Sequence, residues 1–212
     1  MEWSEIAAFT LVATLLVISP GPNGVLVAKT VPTSGRAAGF ANIAGFVSAF
    51  YLHGALAILG ISVLLVQSAI LFAMVKYLGA GYLCWIGVMA LVSAWRGIED
   101  GTEVEPAKRR RTLLRAYAEG FLTNALNPKV SMFYLAAFPQ FITVGDTSIW
   151  ASFLLVFLHS LFNAAWFGAM VLLLARFAAL ASSGSFQRWL KGVTGTVFIG
   201  FGFKLATIRP DL

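Results

Sequence analysis

The sequence predicts an all-α integral membrane protein: six transmembrane helices forming two inverted three-helix repeats, with helices one and four broken. Three observations carry this. The 212 residues are 59% hydrophobic and only 11% charged, whereas soluble domains average about 25% charged. The charges cluster, leaving apolar runs of roughly 20 residues or more, enough to cross a bilayer. Two of those runs are interrupted by Pro, Gly and Asn about half a chain apart. Broken helices in corresponding halves are the best sequence pointer to a transporter binding site.

The first span is read over 5–29, and it contains Ser19-Pro20-Gly21-Pro22-Asn23. Pro removes a backbone donor and clashes with the preceding turn, and Gly adds freedom. Opened backbone is tolerated at membrane depth only where protein or a water-filled cavity satisfies it. The N-terminus has no positive n-region and no A-x-A-like site, so this span is expected to be retained rather than cleaved as a signal peptide. Spans two and three are read over 40–66 and 69–95, with a tight turn at Gln67-Ser68. The polar segment 96–116 follows, holding Glu99, Asp100, Glu103 and Glu105 and then Lys108-Arg109-Arg110-Arg111. It is expected to join the halves as an exposed loop. Span four is read over 117–142 and carries the second break, Asn127-Pro128-Lys129. Spans five and six are read over 149–176 and 190–208. The chain is thus one membrane domain, 1–212, with a first repeat 1–95, a cytoplasmic loop 96–116 and a second repeat 117–212.

Orientation follows from the basic residues. Of the 15 Lys and Arg, 11 lie at the connections one–two, three–four and five–six: Lys29, Arg36, Arg96, Lys108, Arg109, Arg110, Arg111, Arg115, Arg176, Arg188 and Lys191. The positive-inside rule places that side in the cytoplasm and both termini outside. The net charge of +6 is therefore a topology signal, and no nucleic-acid partner is expected. Three spans per half is an odd number, so the second half enters the membrane in the opposite sense. Spans one and four become inverted counterparts, each carrying a break.

Half-helix ends expose partial charges: N-terminal amides attract anions and C-terminal carbonyls attract cations. Opposed breaks offer both, which suits a zwitterion such as an amino acid; an anion or a cation alone also fits. Asn23 and Asn127 add donors and acceptors. Lys129 is the first residue to test, because an ionisable group inside the membrane is a functional hypothesis by default. It holds a substrate carboxylate, exchanges a proton, or pairs with backbone carbonyls to fix the broken helix. Lys76, seven residues inside span three, is a proton-coupling candidate or a lysine that snorkels to the interface. Glu119, read as opening span four, is a coupling candidate or a helix-start charge. His53 has an intrinsic pKa suited to proton handling, or packs as a hydrogen-bonded histidine. Asn42 lines a cavity or bridges helices. His159 and Asn163, one turn apart, are read as one structural polar contact.

Cys84 is the lone cysteine, so no intramolecular disulfide or CxxC site forms. Two histidines and one cysteine, widely separated, make no metal site, and no cofactor is expected. Small-residue stripes at Ala41, Gly45 and Ala49 and at Gly192, Thr196 and Gly200 fit internal packing or a homodimer contact equally.

Several segments carry a family resemblance. Pro20-Gly21-Pro22-Asn23, followed by Gly35, Arg36 and Gly39, resembles the opening signature of the LysE/RhtB family of amino-acid exporters. Lys76-Tyr77-Leu78-Gly79-Ala80-Gly81-Tyr82-Leu83 with Gly87 is similar to that family's third-span pattern. Gly120-Phe121-Leu122-Thr123-Asn124, Asn127-Pro128-Lys129 and Pro139-Gln140-Phe141 resemble its fourth-span pattern, which is how Asn124 joins the candidate site. The resemblance runs over nearly the whole chain. It implies efflux of amino acids or related metabolites across the bacterial inner membrane, driven by the proton gradient. Relatives acting on other small solutes and metal ions leave the solute open.

No GxxxxGK[ST] segment occurs, which directs the energy source to an ion gradient. An intramembrane enzyme is the alternative of a different class. It needs convergent catalytic groups, and Glu2, Glu5, Glu119 and Asp146 do not group in sequence, so no enzyme is expected.

Overall fold

Apolar runs fold as helices here because, away from water, a helix satisfies its own backbone. The computed structural model describes residues 2–67, 69–97, 110–141, 149–174 and 184–207. Among these are eight α-helices and no strand: α1 (Trp3–Ile18), α2 (Pro22–Ser34), α3 (Arg36–Gln67), α4 (Ala69–Arg96), α5 (Leu113–Ala125), α6 (Pro128–Met132), α7 (Ile149–Leu172) and α8 (Gly184–Thr207). A π-helical turn, Phe133–Ala137, and a 3-10 turn, Phe138–Phe141, continue α6.

Two helical segments, Arg36–Gly60 and Ile149–Leu172, are each long and apolar enough to cross a membrane. The pair α1 and α2 passes the same test together, bent by 50° at its break, and Ala80–Arg96 is a shorter apolar segment. Large apolar side chains point outward along these helices, among them Leu56, Leu59, Trp85, Phe157 and Leu161. Water penalises such a surface and lipid does not.

The helices meet where glycine removes the side chain. A Cβ on Gly45 would overlap the Tyr117 carbonyl, and one on Gly120 would overlap the Asn42 carbonyl, so α3 and α5 touch backbone to backbone. The pair α4 and α8 repeats the device: a Cβ on Gly87 would lie 2.7 Å from the Gly195 carbonyl, and one on Gly195 would lie 2.7 Å from that of Gly87. Gly45 therefore belongs to internal packing. Cβ atoms on Gly192 and Gly200 would meet nothing among the described residues within 4 Å, so that second stripe faces away from the described helices.

Boundaries differ from the sequence reading in three places. The connection between α2 and α3 is Gly35 alone, at φ 84°, a conformation that glycine adopts without strain. Lys29 and Arg36 consequently lie on helices rather than in a loop. The second half of span four is not a continuous α-helix, because α6 yields to the π-helical turn after five residues. And α5 starts at Leu113, capped by the Thr112 hydroxyl accepting from the Arg115 amide. Glu119 thus sits mid-helix instead of at a helix start. The acidic residues of the central loop, with Lys108, Arg109 and Asp146, lie outside the described residues.

Charged residues tie the ends together. Arg36 Nη2 donates to the Leu172 carbonyl at 3.3 Å, placing a cation on the C-terminal end of α7 as the helix dipole favours. The Arg111 amide donates to Ser34 Oγ at 2.9 Å. The connection between α2 and α3, the start of α5 and the end of α7 therefore share one end of the bundle.

Candidate functional site

Each break is built the same way. A residue in extended conformation caps a new helix, a proline takes its first position, and the next side chain reaches across the bundle. In the first break, α1 stops at Ile18, Gly21 caps α2 and Pro22 is its first residue. In the second, α5 stops at Ala125, Asn127 caps α6 and Pro128 is its first residue. Proline suits a first position because the missing N–H has no partner there anyway. The Asn127 side chain accepts from the Lys129 amide at 3.1 Å. Gly21 supplies no side-chain cap, so the first-turn amides of α2 are not satisfied by one.

The residues after the two prolines, Asn23 and Lys129, cross reciprocally. Lys129 Nζ donates to the carbonyls of Leu16 and Ser19 at 2.9 and 3.0 Å and to Ser19 Oγ at 3.3 Å. It thereby closes the C-terminal end of α1, where orphan carbonyls and the negative end of the dipole favour a cation. Asn23 Nδ2 donates to Asn124 Oδ1 at 3.0 Å, in the last turn of α5, and Asn124 Nδ2 passes on to the Phe46 carbonyl at 2.9 Å. Asn23, Asn124 and Asn127 are buried. Asn23 Oδ1 has no partner among the described residues. A Cβ on Gly21 would lie 3.3 Å from Lys129 Nζ, so the two breaks meet directly.

The crossing therefore gathers Pro20, Gly21, Pro22, Asn23, Asn124, Asn127, Pro128 and Lys129. His53 joins it: its Nε2 lies 3.3 Å from the Asn124 carbonyl, and a carbonyl only accepts, so that nitrogen carries the hydrogen. Two residues stand apart. Asn42 Nδ2 donates to the Ala116 carbonyl at 2.7 Å, tying α3 to α5 two helical turns before Asn124. Glu119 pairs with Arg111 and, at 3.0 Å, with Arg115. Lys76 is on α4, and its side chain lies outside the described residues. Among the described residues no three His, Cys, Asp or Glu side chains gather.

One group beside the crossing escapes the sequence reading. Tyr134, on the π-helical turn, places its hydroxyl 3.2 Å from His159 Nδ1. Its ring lies nearly parallel to both imidazoles, 15° from His53 and 12° from His159. His159 thus pairs with Tyr134 rather than with Asn163, whose Oδ1 has no partner among the described residues. Spacing on one helix suggests only the local pair; the contact with Tyr134 depends on the fold. The arrangement can hold a charged amine against carbonyls, release it to a competing anion, and carry hydrogen bonds from one break to the next helix.

A family model described as LysE type translocator matches residues 14–209. An uncharacterized membrane protein of Bacillus subtilis (strain 168), YrhP, is 30% identical, over 94% of this chain and 97% of the relative. A threonine efflux protein of Escherichia coli (strain K12) is 28% identical, over 94% and 96%. A leucine efflux protein of Klebsiella pneumoniae is 30% identical, over 93% and 92%. No solved structure matches the chain. The chain belongs to the LysE type translocator family.

Proposed function

We propose that this translocator exports amino acids from the bacterial cytoplasm, as a proton-coupled secondary transporter working by alternating access in the inner membrane. It acts as a transporter and not as an enzyme. Relatives of this chain include a threonine efflux protein and a leucine efflux protein, which supports an amino acid as the solute.

The observation that carries the reading is the Lys129 ammonium seated on the α1 carbonyls across both breaks. That seat is where a substrate ammonium would bind. A zwitterion resolves the competition. Its carboxylate draws Lys129 off the carbonyls and meets the first-turn amides of α2 and the Asn23 side chain. Its own ammonium takes the vacated carbonyls. Charge is balanced throughout, as a poorly solvated site requires. Neither an anion nor a cation alone replaces both halves of the contact.

The two inverted three-helix repeats, 1–95 and 117–212 in one domain, give this exchange its alternating geometry. The matched caps and the reciprocal reach of Asn23 and Lys129 support that symmetry. The loop 96–116 lies in the cytoplasm and both termini lie outside. A homodimer contact falls on the outward stripe Gly192, Thr196 and Gly200.

The test is efflux from proteoliposomes loaded with radiolabelled threonine or leucine, with and without a pH gradient. Wild type empties faster than protein-free vesicles, and Lys129→Ala does not. Equal rates in wild-type and protein-free vesicles would remove the export reading. Undiminished efflux in Lys129→Ala would leave Lys129 a fixture of the fold.

A further inference from the structure

His159 is the buried titratable group that this reading leaves unused. It is fully enclosed on α7, with the rings of Phe9, Phe50 and Phe133 at 6.3, 4.2 and 5.3 Å from its own. Its Nδ1 meets the Tyr134 hydroxyl. Tyr134 rides on the π-helical turn, a local widening found often at functional sites. His53 lies against Tyr134 and reaches the Asn124 carbonyl. Contact therefore runs unbroken from the crossing of the breaks to His159.

The other imidazole nitrogen, Nε2, is buried without a partner among the described residues, and so is Asn163 Oδ1 one turn along the same helix. Buried polar atoms are seldom left so. Two complementary orphans at i and i+4 lie within reach of one another once their rotamers change.

We infer that His159 takes up the coupling proton, with Tyr134 holding Nδ1 and Asn163 Oδ1 accepting from Nε2 once the ring is charged. The inference rests on the proton-coupled reading above. The neutral imidazole gains one proton from water on one side of the membrane and becomes an imidazolium bearing N–H on both nitrogens. Nδ1–H donates to Tyr134 Oη and Nε2–H to Asn163 Oδ1. The same proton leaves to water on the other side, and nothing is oxidised or reduced. With Nε2 lacking an acceptor among the described residues, a charged ring in this arrangement would leave a buried N–H unsatisfied.

The groups facing His159 explain how its charge is felt. From α3 comes His53 and from α6 comes Lys129, both within electrostatic reach. Tyr134 comes from the π-helical turn, with Tyr51 of α3 acting on it in turn. From α1 the apolar Phe9 approaches. No carboxylate among the described residues acts on the ring. A charged ring repels the Lys129 ammonium. Protonation therefore loosens Lys129 from α1, which links the proton to the solute.

The experiment uses the same vesicles and radiolabelled threonine and leucine. In His159→Gln the stimulation of efflux by a pH gradient is lost, whereas solute exchange at equal pH on both sides proceeds as in wild type. Full stimulation in that variant overturns the inference. In Asn163→Asp a carboxylate one turn away holds the proton longer, and the midpoint of the pH–efflux profile rises by about one unit. An unmoved midpoint overturns the inference too, and this variant decides alone if His159→Gln does not fold. If wild type moves neither solute, the export reading fails and takes this inference with it. If wild type moves them without response to a pH gradient, coupling and His159 fall together while export stands.

Discussion

An ammonium withdrawn from water needs acceptors for its three hydrogens, and Lys129 finds them on one helix end: Leu16, Ser19 and the Ser19 hydroxyl. Lys129→Met should therefore cost stability as well as transport. It leaves those carbonyls without a donor, about 1–3 kcal/mol, while relieving the desolvation of the charge. A thermal unfolding midpoint in detergent that does not fall would contradict this. Gly21 sharpens the point. Its φ of −178° is open to any residue, so the glycine is not there for its backbone. It is there because a side chain would press on Lys129 Nζ, 3.3 Å from the would-be Cβ. Gly21→Val should displace the ammonium and slow efflux, with a smaller loss of thermal stability than Gly120→Val. At this scale the sequence was legible in part. A lysine inside an apolar run beside a proline announces itself, because lipid makes it costly. Its acceptors lie more than a hundred residues earlier, and two of the three are backbone atoms, which composition does not distinguish.

Elements read well wherever the cause is local. Pro20-Gly21-Pro22 and Asn127-Pro128 open helices by their own covalent chemistry, and both breaks fall where the sequence puts them. The π-helical turn at Phe133–Ala137 escaped, because nothing in Phe-Tyr-Leu-Ala-Ala departs from helix chemistry; the turn follows from packing around Tyr134. For the same reason His159 was given the wrong neighbour. Helix contacts are legible as glycine spacing but not as partner identity. Gly45 and Gly120 put α3 and α5 in backbone contact, and that contact carries His53 to the Asn124 carbonyl. Gly120→Val must part the two helices, a cost of about 1–3 kcal/mol or more, and should abolish efflux. Gly81→Val, with open space around its Cβ among the described residues, should stay within about 0.5 kcal/mol of wild type. Equal midpoints for the two variants would refute the close-packing account.

For the molecule as a whole, the sidedness inferred from basic residues has a physical counterpart in the bundle. The hydrogen bond from Arg36 to Leu172 and that from Arg111 to Ser34 gather three chain segments at one end. That is the end on which the sequence counts the excess of Lys and Arg. Positive charge resists translocation, so this end should face the cytoplasm, and the segments leaving its opposite end should face out. Single cysteines at Thr102 and Gly145 separate the alternatives. The background is Cys84→Ser, a small change at a side chain whose thiol makes only a 3.9 Å contact with the Ile199 carbonyl. Intact cells treated with a membrane-impermeant thiol reagent should label the Gly145→Cys protein at once. The Thr102→Cys protein should label only after the membrane is opened. Labelling of residue 102 from outside would invert the orientation.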